Sequence, residues 1–169
     1  NYYKKYSDKY WTHRYNVFQE GKIFENIENF FKYFPNKSIL LETYYHVDDI
    51  FVKEYSHTIK TNNFGLVQEN DIQKNKASIL FLGDSIAEGQ GAYSWINKFN
   101  GSFKNFQIIN GGILGTGPEQ FQLIENHISK KFDVKKVVVM YIGDDLRRGI
   151  WNMPENTIKC LNNHRVCKG

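Results

Sequence analysis

The sequence predicts an α/β domain built on a central parallel sheet. Three short apolar runs, at residues 78–82, 106–109 and 137–142, have the length and composition of strands buried on both faces. Helical patterns separate these runs, and strands that alternate with helices pair in parallel through right-handed crossovers. We therefore expect a three-layer α/β/α core in residues 76–169, preceded by an aromatic-rich N-terminal extension of residues 1–75.

The extension contains two predicted elements. Apolar residues recur at helical spacing over residues 23–34 and Pro35 ends the pattern, which predicts an amphipathic helix. Residues 37–61 are predicted to be partly extended, because apolar and polar side chains alternate near the end of this stretch. A turn at residues 62–65 and a polar loop at residues 68–76 then lead into the first core strand.

The connections between the core strands carry helix and loop signals. A short helix is predicted over residues 93–99, and a glycine-rich loop over residues 110–117. Pro118 is predicted to open the next helix, at the position where proline is tolerated. The buried face of that helix is predicted to consist of Phe121, Ile124 and Ile128.

Glycine and potentially reactive residues follow each of the three predicted strands. Ser85 closes the run Gly83-Asp84-Ser85 after the first strand, Gly115 lies in the loop after the second, and Asp144 follows the third. The carboxyl ends of parallel strands meet at one edge of a sheet, where open α/β folds bind their ligands. Ser85 is therefore the candidate nucleophile. The alternative is that its tripeptide is only a turn and a helix cap.

These three loops resemble the first three sequence blocks of the SGNH, or GDSL, hydrolase family. The run Gly83-Asp84-Ser85 matches the block that carries the nucleophilic serine. Residues 110–115 are similar to the second block, whose last glycine, here Gly115, gives a backbone N–H to the oxyanion hole. Residues 142–145 are similar to the third block, Gly-x-Asn-Asp, with two of its four positions changed and Asp144 in place of the oxyanion-hole asparagine.

The resemblance covers about residues 76–148 and implies a fold, an activity and a class of substrate. The implied fold is the flavodoxin-like, three-layer SGNH architecture, incomplete in this chain. The implied activity is that of a serine ester hydrolase or acyltransferase acting through Ser85 on a small acyl ester or an acylated carbohydrate. No cofactor and no metal ion is implied.

Two departures from the family pattern concern the catalytic machinery. An ionised carboxylate at Asp144 donates no hydrogen bond and would repel an oxyanion, and Asp144 can also be a strand-end acid that faces solvent or pairs with a nearby arginine. The family's Asp-x-x-His block, which supplies the base and the acid that orients it, has no match, since Leu161 stands three positions before His164. The remaining histidines are expected to be structural: His13, His46, His57 and His127. We expect a segment after Gly169, in this chain or as a second chain, to supply the base and complete the sheet.

The composition of the chain bears on which partners it binds and in which compartment it is located. No apolar run is long enough to cross a bilayer, and the net charge of +4 is spread along the chain, so neither a membrane span nor a nucleic-acid partner is indicated. Cys160 and Cys167 could close a small loop in an oxidising compartment or stay as free thiols. A periplasmic or secreted location is slightly favoured. His164 lies between these cysteines, but no fourth ligand gives a zinc-binding spacing.

Three other functions share parts of this pattern. A dinucleotide-binding domain would need G-x-G-x-x-G, whereas the glycines from Gly112 read G-x-x-G-x-G and Ser85 is left without a role. An α/β-hydrolase elbow nearly fits the run from Gly83 to Ala87, but it does not account for the two later loops. A non-catalytic binding module on the same scaffold is favoured by Asp144 and by the missing Asp-x-x-His block.

Overall fold

A computed structural model describes residues 13–18, 23–27, 30–47, 50–90, 94–143 and 145, with the backbone alone at 13–17 and 46–47. Its strands are β1 (His13–Phe18), β2 (Phe24–Ile27), β3 (Phe30–Tyr33), β4 (Ser38–Val47), β5 (Ile50–Lys60), β6 (Ser78–Gly83), β7 (Gln107–Gly112) and β8 (Val134–Val139). Its helices are α1 (Ser85–Glu88), a 3-10 helix (Trp95–Phe99) and α2 (Pro118–Ser129). Across these described ranges, no helix has the length and apolar character needed to span a bilayer.

The core is a parallel sheet in which β6 lies between β7 and β8. Leu80 pairs with Ile109 of β7 on one side and with Val137 of β8 on the other, and both pairings are parallel. The predicted α/β class and the parallel pairing of the first and third core strands are therefore confirmed. Strand β7 runs further than predicted and takes in residues 110–112, because their backbone continues the ladder with residues 81–83 of β6.

Helical segments flank the parallel sheet. Helix α2 begins at Pro118 as predicted, and the residues buried with it are Leu66, Ile72, Leu80, Leu82, Ile109, Ile113, Phe121, Ile124, Ile128 and Phe132. The other face of the sheet packs against α1 and the 3-10 helix, with Ile79, Phe81, Ala87, Ile96 and Ile108 buried there. Alternate residues of β6 thus enter opposite layers, as the period of a strand requires.

The helix predicted over residues 23–34 is wrong. Residues 24–27 and 30–33 form the antiparallel hairpin of β2 and β3, in which Phe24 pairs with Tyr33 and Ile27 with Phe30. The aromatic side chains lie on both faces of the hairpin: Phe24 and Tyr33 join a core with β4 and β5, while Phe30 packs against the α2 side of the parallel sheet. Aromatic residues fit a pleated surface well, so tertiary packing outweighs the helical spacing.

The extended conformation predicted for residues 37–61 is confirmed. Strands β4 and β5 form a long antiparallel pair, and β1 pairs with the other edge of β4. The segment that follows β5 returns to the α/β core, because Leu66 and Ile72 are buried beneath the parallel sheet. Residues before 76 therefore contribute to the same hydrophobic core, and the division of the chain at residue 75 stays a prediction.

The prediction of a third buried strand at residues 137–142 is wrong in its bounds and its burial. Strand β8 ends at Val139, and Val137, Val138 and Val139 are 43, 37 and 51% exposed. The physical reason is position, since β8 is an edge strand of the described sheet and pairs there with β6 alone. The last three residues of β8 are all valine, so the end of this strand leaves apolar surface on both faces.

Candidate functional site

Ser85 lies at the carboxyl end of the central strand β6, as the first residue of α1. Asp84 is the N-cap of this helix, and its buried Oδ1 accepts a hydrogen bond from the Ile86 N–H at 2.9 Å. The alternative reading of Gly83-Asp84-Ser85 as a helix cap is thus correct for Asp84, whose carboxylate binds an otherwise unpartnered N–H of the first turn. Ser85 itself is half-buried.

The glycine loop, residues 113–117, folds back onto the end of β6. The Gly83 carbonyl oxygen accepts hydrogen bonds from the Ile113 N–H at 3.0 Å and from Thr116 Oγ1 at 3.2 Å. The Thr116 N–H also donates to the Ile113 carbonyl, which closes a tight turn around Gly115. Gly115 has a φ of +75°, a conformation that glycine adopts without strain. Gly115 and Ser85 therefore lie at the same edge of the sheet.

Helix α1 and strand β7 are in direct contact behind this edge. A Cβ added to Gly112 would lie 2.5 Å from the Glu88 nitrogen and 2.7 Å from the Ala87 carbonyl carbon. No larger residue fits there unless the backbone of the helix moves. Gly112 thus sets the distance between the helix that begins at Ser85 and the strand that leads into the glycine loop.

Asn110 is the centre of a buried polar network beneath the site. Its Nδ2 donates to the carbonyl oxygens of Val67 and Ala87 and to Ser94 Oγ, at 3.0 to 3.2 Å. Its Oδ1 accepts from the Gly112 N–H at 3.0 Å, and its own N–H donates to Gln68. The fully buried amide is satisfied on both ends, as a buried polar group must be. Asn110 therefore has a structural role in this position.

Glu88 is a buried acid that the sequence analysis did not single out. It lies three residues after Ser85 on α1 and is 1% exposed. Its Oε1 accepts from the Tyr33 hydroxyl at 2.8 Å and its Oε2 from the Leu114 N–H at 2.5 Å. Burial raises the pKa of Glu88 to about 7 and, with the neighbouring Glu88 carboxylate, raises that of Tyr33 well above its usual value. No local pattern reveals this contact, because Tyr33 is 55 residues away in the chain.

The third predicted loop is described in part. The Met140 N–H donates to the Leu82 carbonyl at 2.9 Å, which keeps the chain beside β6 just past the end of β8. Asp145 is fully buried and its Oδ2 accepts from the Ile142 N–H at 3.0 Å, so its carboxylate holds the backbone at Ile142. Asp144, the residue that the resemblance assigns to the oxyanion hole, lies outside the described residues.

The histidines whose side chains are described do not hydrogen-bond to Ser85. His127 lies between Phe30 and Phe64, with ring centroids 5.5 and 5.6 Å away, and burial, with Lys131 and Lys32 nearby, lowers its pKa. His57 lies in β5, and burial lowers its pKa as well. The structure thus gives neither ring the role of a base at Ser85. The other three histidine side chains, and both cysteines, are outside the described residues.

Comparisons of the chain with protein-family models, with curated proteins and with solved structures find no match. The resemblance to SGNH hydrolases therefore depends on the three loops and on their placement at one edge of a parallel sheet. That placement is observed for Ser85 and Gly115. The family itself stays a prediction.

Proposed function

We propose that this chain carries the active site of an SGNH-type serine ester hydrolase on a flavodoxin-like scaffold, with Ser85 as the nucleophile. The observation that supports this most strongly is the shared contact at Gly83. Its carbonyl oxygen binds the glycine loop through Ile113 and Thr116, and Ser85 follows two residues later. Ser85 and Gly115 thus lie at the same edge of the sheet, and this is the edge at which open α/β folds bind their ligands.

The proposed reaction is acyl transfer through a covalent intermediate. Ser85 Oγ attacks the carbonyl carbon of the ester while its proton passes to a base, and the carbonyl oxygen becomes negatively charged. The backbone N–H groups of Ser85 and Gly115 donate to that oxyanion. When the intermediate collapses, the C–O bond to the alcohol breaks and the alcohol takes up the proton. Water then attacks the acyl-serine, releasing the carboxylic acid and restoring Ser85.

The substrate class follows from the resemblance: a small acyl ester, of which an acylated carbohydrate is the favoured example. An acyltransferase differs only in the second half of the reaction, where a second alcohol replaces water. Asp144 is proposed to lie at the third oxyanion position. A carboxylate there opposes the developing charge, so we expect it to lower the rate unless it is protonated.

The proposal also requires a base for Ser85 and a cover for β8. Val137, Val138 and Val139 expose apolar surface on both sides of this strand. We propose that a polypeptide segment C-terminal to Asp145 packs on this surface and supplies the histidine. Covering the valines would remove apolar area from water, the main source of free energy for such packing.

The second candidate function is a non-catalytic ligand-binding module on the same scaffold. It is favoured by the missing Asp-x-x-His block, because a serine without a base is a weak nucleophile. Of the two histidine side chains that the structure describes, neither is hydrogen-bonded to Ser85. In that case the edge near Ser85 would bind the ester or carbohydrate without cleaving it.

A fluorophosphonate that labels activated serines separates the two functions. We expect one adduct on Ser85, mapped by peptide mass spectrometry, and Ser85-dependent turnover of p-nitrophenyl acetate. Ser85→Ala should abolish both signals, and Ser102→Ala, at an exposed serine in a turn, should change neither. A folded natural protein that shows no labelling and no turnover would favour the binding module.

A further inference from the structure

The carboxyl group of Glu88 joins three parts of the fold that are separate in sequence. Tyr33 comes from β3, Glu88 from α1, and Leu114 from the glycine loop, and both carboxyl oxygens are used, at 2.8 and 2.5 Å. Both side chains are buried, since Glu88 is 1% and Tyr33 1% exposed. A buried acid with two hydrogen bonds of this kind fixes the relative position of its partners.

The hydrogen bond from Leu114 to Glu88 is relevant to the proposed reaction because of the position of Leu114 in the chain. Leu114 directly precedes Gly115, whose N–H is the proposed oxyanion donor. The Leu114 N–H is held by Glu88, and Glu88 lies one helical turn after Ser85 on α1. The same four-residue helix therefore carries the proposed nucleophile at its start and the anchor of the oxyanion loop at its end.

We infer that Glu88 is a positioning residue, which holds the Leu114–Gly115 segment so that the Gly115 N–H points at the oxyanion formed on Ser85. The inference rests on the proposed function. Glu88 does not touch the reacting atoms and acts only through the loop. Gly83 fixes one side of the loop through Ile113 and Thr116, and Glu88 fixes the other side through Leu114.

The choice of an acid at this position supports a role beyond packing. An apolar residue would fill the space without the cost of desolvating a carboxyl group, but it could not accept the Leu114 N–H. Ionisation strengthens that hydrogen bond, and Glu88 is partly ionised near neutral pH because its pKa is about 7. The hold on the loop should therefore tighten as pH rises through neutrality.

Several titratable groups lie around Glu88. Tyr33 of β3 donates to it, and Asp84, the N-cap of α1, raises the pKa of Glu88 by repulsion. A cavity of about 210 Å³ beside it is lined, among others, by His57 and Lys60 of β5 and by Glu69. Because other charged groups line this cavity, a pH effect is assigned to Glu88 only if Glu88→Gln removes it.

Three variants test the inference in turnover of p-nitrophenyl acetate. Glu88→Ala removes the acceptor of the Leu114 N–H, and we expect kcat to fall 10- to 100-fold with KM changed less than twofold, below the effect of losing an oxyanion donor outright. Glu88→Gln keeps an acceptor for Leu114 and a partner for Tyr33, and should restore kcat to within about threefold of wild type. Tyr33→Phe, the matched control, removes only the other hydrogen bond and should keep kcat within threefold.

Unfolding midpoints show whether each variant is folded, and active-site titration with the fluorophosphonate gives the concentration of active protein. Together they distinguish a lower kcat from a smaller folded fraction. A folded Glu88→Ala enzyme with wild-type kcat would overturn the inference. The inference would also be overturned if the kcat of Glu88→Gln fell as far as that of Glu88→Ala. In that case, a side chain of the same shape with an acceptor for Leu114 would not be enough to position the loop.

Amide NMR measures the contact without any activity, also where Glu88→Ala does not fold. In the wild type we expect the Leu114 amide proton to shift downfield as pH rises, with a midpoint near 7, and Glu88→Gln should lose this titration. A Leu114 amide that does not titrate in the wild type overturns the inference. If Ser85-dependent turnover is absent but the titration is present, the proposed function fails while the coupling of Glu88 to the loop stands.

Discussion

The Thr116 hydroxyl shares its one proton between the Gly83 carbonyl oxygen, 3.2 Å away, and the Ile113 carbonyl oxygen, 2.7 Å away. One buried side chain thus ties the glycine loop to the strand that leads into Ser85. This contact depends on the hydroxyl group and not on the methyl group of threonine, so it can be tested by removing each separately.

Thr116→Val should loosen the loop while keeping its shape. The variant loses the hydroxyl and about 1–2 kcal/mol of stability, typical for one or two buried hydrogen bonds. Hydrogen exchange followed by NMR should show faster exchange of the Ile113 and Thr116 amides. Thr116→Ser retains the hydroxyl and should leave both exchange rates at the wild-type level. Equal rates in the valine variant would show that the hydroxyl does not hold the loop.

Gly115→Ala should separate strain from function. Gly115 and Gly101 both have a positive φ, of +75° and +85°, so alanine at either position should cost about 1–2 kcal/mol in urea unfolding. Only Gly115→Ala should also lower ester turnover, because the oxyanion donor shifts with the turn. Gly101 lies in an exposed turn with no atom within 4 Å of an added Cβ, and its variant should keep the wild-type kcat. Equal kcat values would argue against Gly115 as a donor.

The pH dependence of stability should reveal the buried acid. Unfolded Glu88 loses its proton near the ordinary value of 4.5, whereas the folded protein keeps it to about 7. Between these values the folded state binds more protons, so its stability falls as pH rises, by about 3 kcal/mol in total. Denaturant unfolding from pH 4.5 to 8 should show this loss in the wild type relative to Glu88→Gln. Parallel curves for the two proteins would mean that Glu88 has an ordinary pKa.

Asp144→Asn should raise esterase activity. The substitution replaces a carboxylate, which repels the oxyanion, with an amide that can donate a hydrogen bond to it. One oxyanion donor commonly raises kcat by about 10²–10³. We expect at least a tenfold gain in p-nitrophenyl acetate turnover. Asp145→Asn removes a carboxylate charge at the neighbouring position, where the Asp145 side chain accepts from the Ile142 N–H. This variant should show no gain in turnover. A rate that is unchanged or lower in Asp144→Asn would remove Asp144 from the proposed oxyanion hole.

Val138→Lys tests whether β8 is covered. If a segment C-terminal to Asp145 packs on this strand in the natural protein, a lysine there should cost about 1.5–3 kcal/mol, the value of burying a valine-sized side chain. Val52→Lys, at a valine of β5 that is 49% exposed, is the matched control and should cost less than about 0.5 kcal/mol. Denaturant midpoints of the full chain give both values. Similar small losses would indicate that β8 is an open edge.

The presence of the core strands and their parallel direction could be predicted from the sequence because their signals are local. The apolar run at residues 78–82 can be buried on both faces only in the middle of a sheet, and Pro118 marks the start of α2. Because parallel strands end at one edge of the sheet, this prediction also placed Ser85 and Gly115 at the same edge. Chain order and strand direction were enough for that placement.

The errors lie where distant residues decide the structure. The spacing of the apolar residues from Ile23 to Phe34 favours a helix, but packing against the two cores on either side of the hairpin selects strands instead. The valines of β8 predict a buried strand because valine is apolar. Whether the strand is buried depends on a packing partner, which the strand's own sequence does not reveal. The contact of Glu88 with Tyr33 likewise joins elements that only the folded chain brings together.

The path of residues 62–72 across the parallel sheet has a practical consequence for shortening the protein. A chain that began at residue 76 would keep every motif of the proposed active site, yet it would lack Leu66 and Ile72 from the core under α2. It would also leave Asn110 without Gln68, and Glu88 without the Tyr33 hydroxyl. Expression of the proposed catalytic part by itself should therefore start before β2, so that the hairpin is synthesised and folded with the parallel sheet it supports.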